Sequence, residues 1–428
     1  MLPSVRWQTA SLVALLLGGL FGLAWQRDLV DPLRPLLAQP GEVTLLVVMD
    51  TVRADHLSAC GYDRPTSPVL DRLVSEGAHL SCDAIAPGSW TLPSHASFFT
   101  GTELPVHGAH AVKSGEKLGL DTSETVRPLG PELPTLAERF EGQTALVSAN
   151  PVLGPASGLT RGFDLVRVPV HFGAWFGQGV VDEVRNVLRF EGDGRPLLLV
   201  VNIADAHQPW LEVPGSVEWA EPREAFRYQA AVEGDVWRTF LAGTHPDPVG
   251  FQAQITDLYD FAVWRADDTL GRVLDVLDAY DRDVTRLLIT SDHGELLGEH
   301  GLIDHGHVLN EGNQAVFVLD GQQPLPSGPL NALMVHDRLL GIAPPEGGHP
   351  VRAAANPHEQ RAEWSGGRAF GVLTARSWSP PAVWTEGEPV PTDESFGGFV
   401  RAVMTSSIAM EPLDPELTKA LKAAGYVD

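Results

Sequence analysis

Four runs of apolar residues recur along the chain, and each is rich in valine, leucine or isoleucine. They are "VTLLVVMD" at 43–50, "TALVSAN" at 144–150, "PLLLVVNIAD" at 196–205 and "TRLLITSDHG" at 285–294. Runs that are apolar on both faces are typical of parallel strands covered by helices on each side. The pattern therefore predicts an α/β fold in which a mixed, mostly parallel sheet is sandwiched by helices.

Helical patterns lie between these runs. The segment "TSPVLDRLVSEG" begins with a threonine or serine suited to capping a helix and stops at Gly77. The segment "LYDFAVWRADDTLGRVLDVLDAY" has apolar residues at helical spacing along one side. From about residue 320 proline and glycine become frequent and the periodicity fades. We therefore expect a main domain over 43–345 and a small C-terminal subdomain over 346–428, closing with the helix "DPELTKALKAAG".

The N-terminal residues form a separate segment. An uncharged apolar stretch at 9–25 lies between Arg6 and Arg27, and its length is at the lower limit for a membrane span. No small-x-small cleavage pattern lies beside it, so an uncleaved membrane anchor within 1–27 is favoured over a removed signal peptide. The proline-rich stretch 28–42 is interpreted as a linker. Either interpretation of the apolar stretch predicts an exported protein.

The net charge and the cysteine content limit the partners, substrates and metal sites that this chain could have. The formal net charge is -25, which repels a nucleic-acid backbone and disfavours a nucleic-acid partner. A small anionic substrate would therefore need a local cation, and a bound metal supplies one without a basic patch. Cys60 and Cys82 are the only cysteines, which excludes a metal site of several thiolates. An oxidising compartment would permit these two to pair.

Three of the four apolar runs end in ionisable side chains: Asp50, then Asp205 with His207, then Asp292 with His293. Ligands of open α/β sheets bind beyond the carboxyl ends of the strands, so these side chains could converge, although a single final aspartate is also a turn signal. Carboxylate and imidazole donors suit Mn, Zn, Mg or Ca, with histidine favouring Mn or Zn. Asp205 and His207 could share a face, where the carboxylate would orient the imidazole; a solvated loop pair is the alternative.

The stretch "APGSWTLPSHASFFTG" at 86–101 combines a helix start with a candidate nucleophile. Pro93 fits the first turn of a helix that ends at Gly101, so Thr91 falls at or beside the N-cap. Capping alone explains a threonine there. The same position also places a hydroxyl where backbone N–H groups and the helix dipole favour negative charge, as attack on a phosphate or sulfate requires. Coordination to a metal would make this hydroxyl a better nucleophile.

Five blocks in the same order resemble the sulfatase family of the alkaline phosphatase superfamily. They are "VVMDTVRADHLSACGYDRPTSPVLDRL", "PGSWTLPSHASFFTG", "ADAHQPW", "LLITSDHGELLGEHGLIDHGH" and the terminal "LKAAGYVD". The resemblance runs from about residue 43 to about residue 320 and returns at the last residues. It implies an α/β sandwich, one divalent metal at the carboxyl edge of the sheet, and a covalent intermediate on the residue after Trp90.

The resemblance also implies roles for single residues. The implied metal ligands are Asp50, Thr91, Asp292 and His293, and Thr91 would also be the nucleophile. His207 would contact the substrate or protonate the leaving oxygen, and His305 or His307 would lie across the same site. We expect Glu295 to support a neighbouring side chain by a hydrogen bond and not to be a ligand.

The chain departs from this family at several positions. Sulfatases carry Cys or Ser in a Cys/Ser-x-Pro-x-Arg motif and convert it to formylglycine, whereas this chain has Thr91 to His95 as "TLPSH", and threonine cannot form that aldehyde. His95 stands at the position of the arginine, and Asn150 is the polar group nearest to an expected Lys-x-His block. The paired carboxylates of the first strand are reduced to Asp50 and Thr51. Arg53 could steer substrate charge or pair with Asp55 or Asp50.

His95, Asn150 and Arg53 are thus the candidate substrate-binding residues. The departures resemble threonine-nucleophile relatives such as phosphodiesterases, phosphonate hydrolases and membrane phosphotransferases. The expected function is a metal-dependent hydrolase of sulfate or phosphate esters that acts through Thr91. The alternatives are a membrane-anchored phosphotransferase acting on lipid-linked groups and a catalytically silent family member.

Overall fold

The computed structural model describes most of the predicted main domain. The described residues are 41–113, 124–171, 173–190, 194–208, 210, 239–240, 243–299, 303–305, 315–345, 348–349, 352–354, 361–363, 383–385 and 388–390. The apolar stretch 9–25, residues 28–40 of the linker, His307 and the predicted closing helix lie outside them. No helix among the described residues is both long enough and apolar enough to cross a membrane.

A central sheet of eight strands organises the fold. In chain order, the strands before the C-terminal part are β1 Glu42–Met49, β2 His79–Ile85, β3 His110–Lys113, β4 Glu124–Arg127, β5 Gln143–Ser148, β6 Leu165–Arg167, β7 Leu197–Ile203, β8 Asp283–Thr290, β9 Leu296–Leu297, β10 Ile303–Asp304, β11 Ala315–Asp320 and β12 Leu330–Asn331. The order across the sheet is β12-β2-β11-β8-β1-β7-β5-β6, while β3 pairs with β4 and β9 with β10 outside it.

Strand directions confirm the predicted mixed, mostly parallel sheet. Strands β8, β1, β7, β5 and β6 are parallel neighbours. Strand β11 is antiparallel to both β8 and β2, and β12 is parallel to β2. The four apolar runs of the sequence form the four adjacent strands β8, β1, β7 and β5. Their carboxyl ends therefore lie along one edge of the sheet.

Helices cover both faces of this sheet. They are α1 Pro68–Ser75, α2 Thr91–Thr100, α3 Leu104–His107, α4 Leu136–Arg139, α5 Gln178–Phe190, α6 Pro248–Ala279 and α7 Met334–Leu340. Alternate residues of β1 point into two separate apolar clusters: Leu45 and Val47 pack with residues of α5 and α6, whereas Leu46 and Val48 pack with residues of α2 and α7. Both faces of β1 are buried, as its continuous apolar run predicts.

The side chain that caps α1 is not the predicted serine or threonine. Ser67 occupies the N-cap position, but its side chain makes no capping hydrogen bond. Its hydroxyl instead accepts a hydrogen bond from the backbone N–H of Ala59. The carboxylate of Asp267, from α6, accepts hydrogen bonds from the N–H groups of Val69 at 2.7 Å and Leu70 at 3.1 Å. The predicted start of the helix is confirmed, while the serine or threonine cap is replaced by a side chain from a distant helix.

The two cysteines form a disulfide. The bond between Cys60 and Cys82 joins the turn after β1 to β2, across a Cα–Cα distance of 5.7 Å. Beyond the main sheet, the described segments include four strands, β13 Arg352–Ala354, β14 Arg361–Glu363, β15 Val383–Thr385 and β16 Glu388–Val390, which form two antiparallel pairs. The boundary between 345 and 346 stays a prediction.

Candidate active site

The polar ends of three strands and the start of α2 meet at the carboxyl edge of the sheet. Asp50 follows β1, Asn150 lies two residues beyond β5, and Asp292 and His293 lie just beyond β8. Thr91 is the first residue of α2. All five of these residues are fully buried. The structure therefore brings together the residues that the sequence analysis assigned to one site from four distant segments.

Asp50, Asp292 and His293 form a group that could hold a metal ion, with one donor atom of each within 4.8 Å of the others. His293 Nε2 lies 3.6 Å from Asp50 Oδ1 and 3.4 Å from Asp292 Oδ2. Thr91 Oγ1 lies 3.5 Å from the same nitrogen. His293 Nδ1 lies 3.0 Å from the Gly294 carbonyl oxygen, which can only accept, so Nδ1 carries the proton and Nε2 keeps a lone pair.

The hydrogen bonds of the two carboxylates leave one oxygen of each without a partner. Asp50 Oδ2 accepts from the side-chain amides of Asn150 at 2.9 Å and Asn202 at 3.1 Å. Asp292 Oδ1 accepts from the backbone N–H groups of Thr51 at 3.3 Å and His293 at 3.0 Å. Asp50 Oδ1 and Asp292 Oδ2 are buried without a hydrogen-bond partner. Because buried carboxylate oxygens without partners are costly, the donor set fits a divalent cation.

The pKa shifts of these side chains also favour a bound cation. Burial, together with the Asp50 carboxylate, raises the pKa of Asp292 well above its usual value. Burial also lowers the pKa of His293 well below its usual value, which favours the neutral imidazole that binds metals. With both carboxyl groups ionised, the two close carboxylates and the neutral imidazole would carry an excess of negative charge. A divalent cation would relieve that repulsion.

Thr91 has the position predicted for it, directly beside the N-cap. Trp90 is the N-cap residue, with extended backbone angles, and α2 ends at Gly101 in the left-handed conformation. The amide of Asn150 donates a hydrogen bond to Thr91 Oγ1 at 3.1 Å. The same amide nitrogen also contacts Asp50 Oδ2. Asn150 thus links the candidate nucleophile to a candidate metal ligand.

His95 lies one helical turn after Thr91. Its Nδ1 lies 2.9 Å from the Thr91 carbonyl oxygen and 3.4 Å from Asp292 Oδ2. Burial lowers the pKa of His95 to about 4, so the ring is neutral and Nδ1 donates its proton to that carbonyl. Its Nε2 is buried without a hydrogen-bond partner. Unlike an arginine, His95 brings no permanent charge to the site, and its part in substrate binding stays a prediction.

Three histidines lie side by side in the same region. The ring of His305 is centred 4.5 Å from the ring of His293 and 4.8 Å from the ring of His207. His305 Nδ1 lies 3.2 Å and 3.3 Å from the two carboxylate oxygens of Glu295. Glu295 therefore has the supporting position expected of it. His307, the other candidate of the "IDHGH" block, lies outside the described residues.

Arg53 makes the pairing that the sequence analysis left as its alternative role. Its guanidinium donates to both carboxylate oxygens of Asp55, at 3.0 Å and 2.8 Å. It also bonds the Glu299 carboxylate at 2.6 Å and the Glu295 carbonyl at 2.9 Å. These contacts tie the turn after β1 to the segment after β8. A role of Arg53 in substrate binding stays a prediction.

The pairing of Asp205 with His207, one of the two alternatives that the sequence left open, is not observed. Asp205 Oδ1 accepts from Arg265 at 2.9 Å, and Oδ2 accepts from the backbone N–H of Gly177 at 3.1 Å. His207 Nδ1 instead lies 2.5 Å from the carbonyl oxygen of Gln208. The chain turns at Asp205 directly after β7, so the two side chains do not share a strand face as two strand residues would.

Sequence reasoning missed two residues that shape the site. Asn202 lies inside β7 and reaches Asp50 from the neighbouring strand. A polar residue within "LLLVVNI" was the signal that could have revealed it. Tyr259, in α6, contacts the backbone on both sides of Val52 through its hydroxyl. Nothing in its local sequence distinguishes it from an ordinary core tyrosine.

Comparisons with known proteins match part of this chain to sulfatases. Residues 176–323 match the family model described as Sulfatase, a segment that includes His207, Asp292, His293 and His305. The uncharacterized sulfatase YidJ of Escherichia coli K12 is 31% identical over 126 residues, which is 27% of this chain and 24% of that protein. The match thus spans about a quarter of the length of that relative.

Solved structures show the same fold. A 2-O GAG sulfatase is similar with a TM-score of 0.52 at 14% identity, covering 76% of this chain and 81% of that one. A putative sulfatase from Bacteroides thetaiotaomicron is similar with a TM-score of 0.50 at 14% identity, covering 76% and 80%. At these identities the likeness concerns the fold. The chain thus matches the Sulfatase family model over residues 176–323, and its fold is similar to that of these two proteins.

Proposed function

We propose that this protein is a metal-dependent hydrolase of phosphate or sulfate esters that forms a covalent ester on Thr91. One observation carries the proposal: a hydroxyl at the start of α2 lies 3.5 Å from His293 Nε2 and 3.1 Å from the Asn150 amide. That hydroxyl adjoins two carboxylates, each with one oxygen that has no hydrogen-bond partner. A structural cap would need none of these neighbours.

The residues that would hold the cation are Asp50, Asp292, His293 and Thr91. When bound, a divalent ion there would favour the alkoxide of Thr91 and offset the charge of an anionic ester. The imidazole donor favours Mn or Zn over Mg or Ca. The N-terminus of α2 adds backbone N–H groups that favour negative charge at the same place.

The proposed reaction has two steps, attack by Thr91 and then attack by water. Thr91 Oγ loses its proton to solvent and forms a bond to phosphorus or sulfur, while the bond to the leaving oxygen breaks. That oxygen takes a proton from His305, whose ring lies beside His293, or from His207, whose ring lies beside His305. Water then attacks the phosphorus or sulfur, which frees Thr91 and releases phosphate or sulfate. Glu295 would keep the His305 ring in one orientation.

Phosphate esters are at least as well supported as sulfate esters. Threonine cannot form formylglycine, and His95 brings a neutral ring where the sulfatase motif has an arginine. Both departures change groups that the resemblance assigns to sulfate chemistry. The metal group and the hydroxyl suit either ester.

Export is part of the proposal. The Cys60–Cys82 disulfide supports it, because disulfides form and persist in oxidising compartments. The substrate would then be an ester present outside the cytoplasm. Fractionation of cells that express the full chain, with the protein followed by immunoblot, tests this placement.

Two variants of residue 91 test the mechanism. Thr91→Val keeps the shape and removes the hydroxyl, whereas Thr91→Ser keeps the hydroxyl and serves as the matched control. We expect Thr91→Val to lower kcat/KM by roughly 10³-fold or more and Thr91→Ser to stay within about 10-fold of the native protein. Nitrophenyl phosphate, a nitrophenyl phosphodiester and nitrophenyl sulfate would be assayed side by side, with metal content measured by elemental analysis.

Peptide mass spectrometry of acid-quenched reactions should find the phosphoryl or sulfuryl group on residue 91 of the native protein and of Thr91→Ser. A Thr91→Val variant with native turnover would refute the mechanism. Adding a polyol separates hydrolysis from transfer, because a transferase would place the group on the polyol whereas a hydrolase would release it to water.

A further inference from the structure

Thr51 has a backbone conformation that threonine rarely adopts. Among the described residues, the non-glycine residues with positive φ are Thr51, at 62°, and Asp281, at 52°. A β-branched residue in the left-handed region is a true outlier, and such residues persist only where their surroundings hold them. Thr51 directly follows the candidate ligand Asp50 and is fully buried. The outlier thus lies in a buried turn next to the metal group and not in a surface turn.

A single tyrosine hydroxyl holds the backbone around this residue. Tyr259 donates a hydrogen bond to the Thr51 carbonyl oxygen at 2.6 Å and accepts one from the Arg53 N–H at 2.8 Å. Tyr259 belongs to α6 and is fully buried within the core on that face of the sheet. The Thr51 hydroxyl turns back to the Asp50 carbonyl oxygen at 2.7 Å, so it does not point into the metal group.

The backbone conformation of Thr51 decides which carboxylate oxygen of Asp292 accepts a hydrogen bond from the Thr51 N–H. The Thr51 N–H donates to Asp292 Oδ1, which also accepts the His293 N–H. Asp292 Oδ2 is left without a hydrogen-bond partner, 3.4 Å from His293 Nε2. If the turn relaxed, Asp292 Oδ1 would lose a donor and the carboxylate could rotate. Both oxygens would then be open to a cation.

We propose that Tyr259 is a positioning residue of the metal centre. Its hydroxyl holds Thr51 in the left-handed conformation, and this makes Asp292 offer a single oxygen to the cation. The inference rests on the metal site of the proposed function. One oxygen from each carboxylate suits small ions such as Mn²⁺ and Zn²⁺, whereas Ca²⁺ accepts two oxygens of one carboxylate and a looser shell. Tyr259 therefore sets metal selectivity as well as affinity.

Calorimetric titration of the metal-free full chain with Mn²⁺ and with Ca²⁺ tests this role. We expect Tyr259→Phe to weaken Mn²⁺ binding by roughly 10- to 100-fold, in the range for residues that orient metal ligands. Ca²⁺ binding should change less, so the ratio of the two affinities should shift toward Ca²⁺. General damage to the fold would weaken both ions alike.

Tyr62→Phe is the matched control. The Tyr62 hydroxyl donates to the buried carboxylate of Asp260 at 2.7 Å and belongs to the same turn region, but it does not contact Thr51. This variant also loses a tyrosine hydrogen bond, so it should lower the unfolding temperature while leaving both metal affinities within about 2-fold of native. An equal loss of Mn²⁺ affinity in Tyr62→Phe would overturn the assignment.

Thr51→Gly provides an independent arm, because glycine adopts the left-handed conformation without strain. Tyr259→Phe should cost much less Mn²⁺ affinity in the Thr51→Gly background than in the native background. This double variant also carries the test where Tyr259→Phe alone does not fold. Equal losses in the two backgrounds, or native Mn²⁺ affinity in Tyr259→Phe, would overturn the inference alone. A native protein that binds neither ion would overturn both the inference and the proposed metal site.

Discussion

Single residues bind one carboxylate oxygen of Asp50 and one of Asp292, and they leave the other oxygen of each for the proposed cation. Side-chain amides occupy one oxygen of Asp50, and backbone N–H groups occupy one oxygen of Asp292. The remaining oxygens both lie within 3.6 Å of His293 Nε2. Because the occupied oxygens are held in place, the free ones are held as well. The geometry of the site is therefore largely formed before a cation arrives.

Asn150 and Asn202 allow this reasoning to be tested one contact at a time. Both donate to Asp50 Oδ2, at 2.9 Å and 3.1 Å, but only Asn150 also contacts Thr91 Oγ1. We expect Asn150→Ala and Asn202→Ala each to weaken Mn²⁺ binding by about 10-fold. Asn150→Ala should in addition lower kcat at saturating metal by a further 10-fold or so, since it also releases the nucleophile.

Asn202→Ala is the control for the shared contact. Metal titration and kcat at saturating metal, measured on both variants, separate the two effects. Equal kcat values for the two variants would show that the Asn150 contact with Thr91 has no role in the reaction.

The site residues differ in how far the sequence could reveal them. Asp50, Asp292 and His293 stand at the ends of apolar runs, and Thr91 stands before a helix-starting proline, so local patterns made them candidates. Their roles as ligands and nucleophile came from the resemblance to the sulfatase family. Asn202 reaches Asp50 because β1 and β7 pair Val48 with Asn202, and that register cannot be read from either strand alone. Tyr259 acts on Thr51 from 208 positions away, through a tertiary contact that leaves no periodic signal.

Strands and helices likewise differ in how far the sequence could reveal them. The central strands β1, β5, β7 and β8 were visible because both of their faces are buried. Strand β2 was not, since "HLSCDAI" mixes polar and apolar residues and most of it is only half-buried. Helix α6 begins at Pro248, ten residues before the apolar stretch that indicated it, because Asp247 caps it by accepting the Gly250 N–H. Apolar patterns in the sequence thus predicted the buried elements of the core, but they did not predict the partly exposed elements.

The contact between α6 and α1 leads to a prediction about pH. Burial raises the pKa of Asp267 from its usual 3.8 to about 7, despite the two N–H groups of α1 that it accepts. The folded protein therefore binds a proton that the unfolded chain releases. Protonation of Asp267 contributes up to about 4 kcal/mol to the free energy of unfolding. This contribution is fully present below pH 4 and is lost as the pH rises through 7.

Asp267→Asn should remove this component, because asparagine does not titrate. Urea unfolding between pH 5 and pH 8 should show a flatter pH dependence for the variant than for the native protein. Asp268→Asn is the matched control, since Asp268 is its neighbour in α6 but is half exposed and pairs only loosely with Arg272 at 3.7 Å. Parallel curves for native protein and Asp267→Asn would contradict the prediction.

At the scale of the whole molecule, the negative net charge of the chain opposes the binding of an anionic substrate at the site. A formal net charge of -25 repels an anionic ester at long range, while a divalent cation held by the metal group would attract it at short range. Arg53, close to the metal group, cannot offset this repulsion alone, because Asp55 and Glu299 both bind its guanidinium. The cation would thus supply local attraction within a repulsive field.

Salt should therefore raise catalytic efficiency toward anionic substrates. Screening shortens the range of the repulsion from about 30 Å at 0.01 M ionic strength to about 8 Å at 0.15 M, and it weakens short contacts within the buried site much less. We expect kcat/KM for nitrophenyl phosphate, a dianion at pH 8, to rise several-fold between these ionic strengths. A singly charged nitrophenyl phosphodiester should respond about half as strongly in logarithmic terms, which makes it the internal control. A fall in kcat/KM for the dianion would mean that a positive field governs its approach, so that the net charge of the chain does not control encounter with the substrate.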